Sequence, residues 1–212
     1  MTRLKLLARD AYVKPEKSDP LIYYYLPVIG SMYRRRVELA LNECTGGEKA
    51  LEVGFGSGLS FLDLKDKYQS IYGIDLDADP EAVAAMWNRH GIKPVLRSGN
   101  IMELPYQDNS FDTVLLISIL EHIHPKEQPT AMKEILRVLK PGGQMVYGVP
   151  VERMIMVFLY RLLGVNIREH HFSTEKDVAS NAQALFKETN LITMESIIGP
   201  VCQVGNFMKS GN

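Results

Sequence analysis

Apolar and polar positions follow two different periods along this chain. Between residues 31 and 44, Tyr33, Val37, Ala40, Leu41 and Cys44 recur at i, i+4, i+7, i+8 and i+11, the spacing of one helix face. The run Arg34-Arg35-Arg36 falls mostly off that face and reads as solvated helix surface in preference to an anion site. From residue 49 the pattern shifts to short apolar runs separated by helical stretches. KALEVGF (49–55), SIYGIDLD (70–77), PVLRSGN (94–100), FDTVLLIS (111–118) and QMVYGVP (144–150) read as strands. GLSFLDLKDKY (58–68) reads as a helix between the first two. Asp79-Pro80 opens another by an N-cap acid followed by proline, and Gly91 closes it. Met132, Ile135, Leu136 and Leu139 form a third helical face, ended by Lys140-Pro141-Gly142-Gly143.

Strands that are apolar nearly throughout, and that alternate with helices, predict a parallel sheet covered on both faces. The last third continues differently. Residues 151–163 read as an apolar helix, and Ser173 or Thr174 caps a helix whose Val178, Ala182, Leu185 and Phe186 face inward. LITMESIIG (191–199) and VCQVGNFMK (201–209) read as two further strands. The turn around Gly199-Pro200 is too short for a crossover, so these two strands are expected to be antiparallel.

Composition narrows the class. The chain has 212 residues, 46% hydrophobic and 23% charged, with a formal net charge of -1. That size suits one domain with a small appendage, and that charge supplies no field to draw the chain onto nucleic acid. Two cysteines, Cys44 and Cys202, make neither a disulfide framework nor a zinc site. The first residues lack the apolar core of a signal peptide, and no run approaches the ~20 apolar residues of a membrane span. The expectation is a soluble protein of the cytoplasm. No metal site is expected.

The chemistry concentrates in LEVGFGSGLSF (51–61). Gly54, Gly56 and Gly58 follow the first strand at alternate positions, where backbone can approach a ligand closely. The dinucleotide fingerprint requires G-x-G-x-x-G/A, but position 59 is Leu; no Gly-Lys-Ser/Thr follows, so the phosphate-loop motif fails too. Glu52 also stands at this mouth. A carboxylate beside a pyrophosphate repels it by about 4 kcal/mol at 4 Å and an effective dielectric of 20. S-adenosylmethionine suits the loop better, having a sulfonium, an ammonium, one carboxylate and no phosphate. Asp75 ends the second strand 17 residues past Gly58, where an acid can accept from both ribose hydroxyls. A nicotinamide cofactor would use Asp75 in the same way.

LEVGFGSG, YGIDLD, SGNIMELPYQDNSFDTVLLISILEHI and LRVLKPGGQMVYGVP, in this order and spacing, resemble the class I S-adenosylmethionine-dependent methyltransferases. The small-molecule type, similar to the ubiquinone and menaquinone methyltransferases, is the nearest in pattern. The resemblance covers residues 31–150 and implies an α/β, Rossmann-like, doubly wound fold. It implies a mostly parallel seven-stranded sheet with an antiparallel last strand and helices on both faces. Residues 1–30 would precede the domain as a segment able to act as a lid. A single domain would fill 31–212, its cofactor half at 46–150 and its substrate-side elements at 151–190.

By the same resemblance, Glu52, Gly54, Gly56 and Gly58 form the first cofactor motif, Asp75 holds the ribose and Leu76 packs on the adenine. Asn100, where the family usually has an acid, faces the adenine amino group, with Ile101 beside it. An amide oxygen can still accept that bond, without the charge. Ile117 and Ser118 would lie along the methionine moiety.

Methyl transfer to a hydroxyl also needs a base, most often His. His122 in LEHI and His171 in REHHF (168–172) are the candidates; a packing role for the first and a solvated loop for the second stand beside them. The run MIMVFLYRLLG (154–164) reads as a core helix, a lid over an apolar acceptor or a surface helix touching a membrane. Tyr23, Tyr24 and Tyr25 read as a lid or as surface packing. The acceptor is expected to be a small molecule, apolar or glycan-linked, since the Asn/Asp-Pro-Pro-Tyr and Pro-Cys motifs of base methylation are missing. Two rivals are a non-catalytic binding module of the same fold and a nicotinamide-dependent oxidoreductase.

Overall fold

The computed structural model describes residues 3–13, 20–27, 29–151, 172–196 and 199–211. The expected apolar helix at 151–163, the run 154–164 apart from its neighbours, and His170 and His171 all fall outside these residues after position 151.

Seven strands form one sheet: β1 (Gly47–Val53), β2 (Tyr68–Asp75), β3 (Val95–Ser98), β4 (Phe111–Ile117), β5 (Leu139–Pro150), β6 (Lys187–Ser196) and β7 (Gly199–Met208). Their order is β3-β2-β1-β4-β5-β7-β6. β3, β2, β1, β4 and β5 are parallel neighbours, and β7 runs antiparallel between β5 and β6. The expected sheet, with its antiparallel last strand, is the one observed. Strand order reverses between β1 and β4, which opens a crevice at the carboxyl ends of those two strands.

Both faces of the central strands are buried, which explains their continuous apolar runs. On one face Ala50, Ile71, Leu115 and Val146 meet α1 (Ile29–Glu43), α2 (Phe61–Leu64) and α3 (Pro80–Arg89) through Val37, Ala40, Phe61, Leu64, Met86 and Trp87. On the other, Leu51, Val53, Val114, Leu116 and Met145 meet α4 (Gln128–Val138) and α5 (Glu175–Gln183). Neighbouring positions such as Val114 and Leu115 point to opposite layers, as the pleat requires. Asp79 caps α3 by accepting from the Glu81 and Ala82 amides. Thr174 caps α5 in a reciprocal box with Asp177.

Three local expectations change. The helix expected over 58–68 shrinks to Phe61–Leu64. The glycine loop occupies its start, and the turn Lys65–Lys67 hands the chain to β2 at Tyr68. The Lys140–Gly143 turn is absorbed into β5 as a bulge, because Lys209 pairs with it: Gly142 N–H donates to Lys209 O at 3.1 Å and Lys209 N–H to Gly143 O at 2.8 Å. Arg36 is not solvated surface along its whole length, since its Nε is buried beneath α1. Tyr24 is likewise buried, while Tyr23 stays exposed. Among the described residues, no helix is long and apolar enough to cross a membrane.

Candidate active site

Each glycine of the loop after β1 is required for its own reason. Gly54 has φ +74°, and a Cβ there would come 2.0 Å from Ile119 Cδ1, which packs over it from the end of β4. Gly58 has φ +73°, and a Cβ would come 2.4 Å from Trp87 Nε1. That indole N–H donates to Ser57 O at 3.0 Å, so α3 braces the loop from behind. Gly56, at φ +49°, points its N–H at Asp75 Oδ2, 2.8 Å away.

The Asp75 carboxylate thus joins two strand ends. Its second oxygen accepts from the Asp77 and Ala78 amides at 2.9 and 3.1 Å. A carboxylate offers about four acceptor sites, so one remains open here. Leu76, next along, is 67% exposed, an apolar side chain with its surface free beside the loop. Asn100 lies exposed past β3 and accepts from the Met102 amide at 3.0 Å through Oδ1. Its amide group is therefore oriented by its own turn. Ile101 is buried behind it.

Glu52 is more deeply set than its place in the motif suggests. The side chain is buried and accepts from the Ser60 hydroxyl. Burial pushes its carboxyl up to about 8; the Ser60 bond opposes that and nearby Asp75 adds to it. At neutral pH the group is mostly protonated. The fixed negative charge expected at the loop's mouth is therefore a latent one, restored when a cation comes close.

Across the crevice, β4 ends in an unusual turn. Ser118 has φ +58°, a conformation uncommon outside glycine, and donates its N–H to Gly148 O at 2.8 Å. Its Oγ is buried without a hydrogen-bond partner. Ile117 ends the strand, half-buried against the core. The 3-10 turn Leu120–His122 follows, with His122 exposed. Buried Gln128 holds this turn by donating to Leu120 O at 3.0 Å, and Asn181 of α5 donates to Gln128 Oε1 at 2.9 Å. The chain returns here as well: the Phe172 and Ser173 amides donate to Glu121 O at 2.9 and 3.2 Å.

The crevice therefore gathers Glu52, the three glycines, Asp75, Leu76, Ile117 and Ser118 at adjoining strand ends, with Asn100 at the end of β3. His122 stands at its rim, and His171 lies outside the described residues. Sequence reasoning placed Ile119 at the mouth and read Arg36 as surface, and it missed Trp87, Gln128 and Glu121. Trp87 could have been suspected as an apolar group near a glycine loop; nothing local marks Gln128 and Glu121. Among the described residues, no group of three or more His, Cys, Asp or Glu side chains could hold a metal ion.

Residues 51–147 match the family described as methyltransferase domain. The chain is 34% identical over 103 residues to the demethylmenaquinone methyltransferase of Bacillus licheniformis, covering 47% of this chain and 44% of that protein. To the demethylmenaquinone methyltransferase of Corynebacterium glutamicum it is 32% identical over 114 residues, covering 54% of this chain and 46% of that one. The aligned stretch thus spans less than half the length of each curated relative. The fold extends further. The N-methyltransferase NodS of Bradyrhizobium japonicum, solved with S-adenosyl-L-homocysteine, superposes with a TM-score of 0.66 at 17% identity, over 91% of this chain and 93% of its own.

Proposed function

We propose that this chain, whose residues 51–147 match a methyltransferase domain, is a class I S-adenosylmethionine-dependent methyltransferase that transfers a methyl group from S-adenosylmethionine to a small-molecule acceptor. The observation that carries this reading is the Gly56–Asp75 hydrogen bond beside exposed Leu76. It makes one cradle from a loop of close-approach glycines, a carboxylate with an open acceptor site and an apolar surface. Such a cradle suits a nucleoside without phosphate. Latent acidity at Glu52 suits a cationic ligand, because a nearby positive charge favours the ionised carboxyl.

In this reading Asp75 holds a ribose hydroxyl through its open acceptor site, Leu76 and Ile101 flank the adenine and Asn100 meets its amino group. Ile117 and the Ser118 backbone line the methionine portion. The bound cofactor supplies an activated methyl group on a sulfonium, so the protein's task is to align the acceptor and exclude water. His122, at the rim, takes the acceptor's proton if that acceptor is a hydroxyl. Ile22, Tyr23, Leu26 and Ile29 are exposed large apolar side chains before and at the start of α1, and the names of the relatives favour an apolar acceptor. Cys44 and Cys202 are buried free thiols, which fits a cytoplasmic protein.

Calorimetric titration with S-adenosylmethionine and, separately, with NAD tests the reading. Micromolar binding of the first alone is the expected result. Binding of NAD alone would replace this proposal with a nicotinamide-dependent one.

A further inference from the structure

A second polar cluster lies away from the glycine loop, where α1 crosses β5 and β7. A Cβ at Gly148 would meet Arg36 Cγ at 3.8 Å, so the arginine stem runs over β5 at that glycine. The guanidinium continues past Cys202 of β7 toward Tyr24 and Glu121. Its Nη2 lies 3.5 Å from the Tyr24 hydroxyl, the long limit of a hydrogen bond, and its carbon 5.1 Å from the Tyr33 ring centre. Its Nε is buried with no hydrogen-bond partner among the described residues.

An orphaned buried donor is costly, and more so on a charged group. A second orphan borders the same glycine: Ser118, whose N–H donates to Gly148 O, leaves its Oγ buried and unpartnered in a strained backbone. Strain and unsatisfied groups concentrate where a ligand completes the structure. Burial lowers the pKa of this guanidinium, but Tyr24, Cys202 and, least, Glu121 raise it above the ordinary arginine value.

We propose that Arg36 and Ser118, set on either side of Gly148, form the head-group subsite of the methyl acceptor, and that the group they hold is a carboxylate. This rests on the methyltransferase reading above. The Nε–Nη2 edge of a guanidinium presents two parallel N–H donors, which match the two oxygens of a carboxylate. That edge of Arg36 has one donor free and the other barely engaged. A phosphate dianion would bring a second charge beside Glu121, with one guanidinium to offset it. The body of the ligand is apolar: Tyr33 links the guanidinium to Tyr23, 5.4 Å ring to ring, and so to the exposed Ile22, Leu26 and Ile29. The subsite lies two strands from the glycine loop, across β4 and toward β7, on the acceptor's side of the crevice.

The test uses the full chain saturated with S-adenosylhomocysteine, and octanoate, octan-1-ol and octylamine as probes in calorimetry. Octanoate is expected to bind in preference to the alcohol and the amine. Arg36→Lys keeps charge and stem but lacks the fork, and should weaken octanoate roughly tenfold to a hundredfold. Ser118→Ala removes one hydroxyl and should weaken it less. Arg36→Lys should melt cooperatively and hold S-adenosylhomocysteine as the unaltered chain does. Octanoate bound equally by Arg36→Lys would overturn the subsite, as would an unaltered chain that holds S-adenosylhomocysteine but ignores octanoate. A loss of S-adenosylhomocysteine affinity in Arg36→Lys would also overturn it, by assigning Arg36 to the cofactor's own carboxylate. Failure of the unaltered chain to bind S-adenosylhomocysteine contradicts the methyltransferase reading itself.

Discussion

The Gly56 amide and the Asp75 carboxylate lie 2.8 Å apart, so the loop after β1 and the end of β2 form one hydrogen-bonded unit. Asp75 fixes the shape of the loop, and in the proposed site it also holds the cofactor. Asp75→Ala should weaken S-adenosylmethionine by about 1.5–3 kcal/mol, the worth of hydrogen bonds to a charged group. It should also lower stability, since three amides lose their acceptor. Calorimetry and urea melts read the two effects separately. Unchanged affinity would take Asp75 out of the cofactor site.

Gly54 combines a positive φ with a side chain packed where its Cβ would be. Gly54→Ala should destabilise by about 1–3 kcal/mol from overpacking and backbone strain. Ile119→Ala in the same chain should recover the packing part and leave the strain. A double-mutant cycle measures this, and strict additivity would mean that Ile119 does not press on the loop.

Glu52 gives the protein a pH dependence of definite sign. Its carboxyl is raised by burial to about 8 in the folded chain, above the ordinary glutamate value. The folded state therefore binds the proton more tightly than the unfolded one. Stability from this group is complete in acid, below the ordinary value, and falls as pH rises toward 8, by at most about 1.4 kcal/mol per unit. Above that it levels off. Glu52→Gln should flatten the slope in thermal melts taken between about pH 5 and pH 9. An unaltered slope would assign it to other groups.

His122 is exposed at the rim and outside the cradle that Asp75 and the glycines form. If it is the base, His122→Ala should lower kcat by about a hundredfold or more and leave S-adenosylmethionine affinity unchanged. Equal turnover would return it to the surface of the turn.

The sheet was legible in the sequence because its signals are local. Short runs buried on both faces, an N-cap acid before proline and the short Gly199-Pro200 connection expected between the last two strands each depend on neighbours along the chain. The same is true of the glycine loop and of Asp75 as the last residue of a strand. Where expectation and structure part, a distant residue intervenes. Lys209 turns Lys140–Gly143 into part of β5, although nothing near that turn announces it. Arg36 reads as surface in a run of three arginines, yet its position over Gly148 and beside Cys202 draws it inward.

The sequence by itself thus determined the order of elements, the burial of both sheet faces and the place of the loop. These follow from the periods of helix and strand and from the few residues able to take a positive φ. Only the tertiary structure decided which groups share a charge or a hydrogen bond. It set the raised carboxyl pKa of Glu52, the hydrogen bond of Asp75 to the glycine loop and the orphaned edge of Arg36. Those depend on desolvation and on contacts between residues far apart in the chain, which no local pattern encodes.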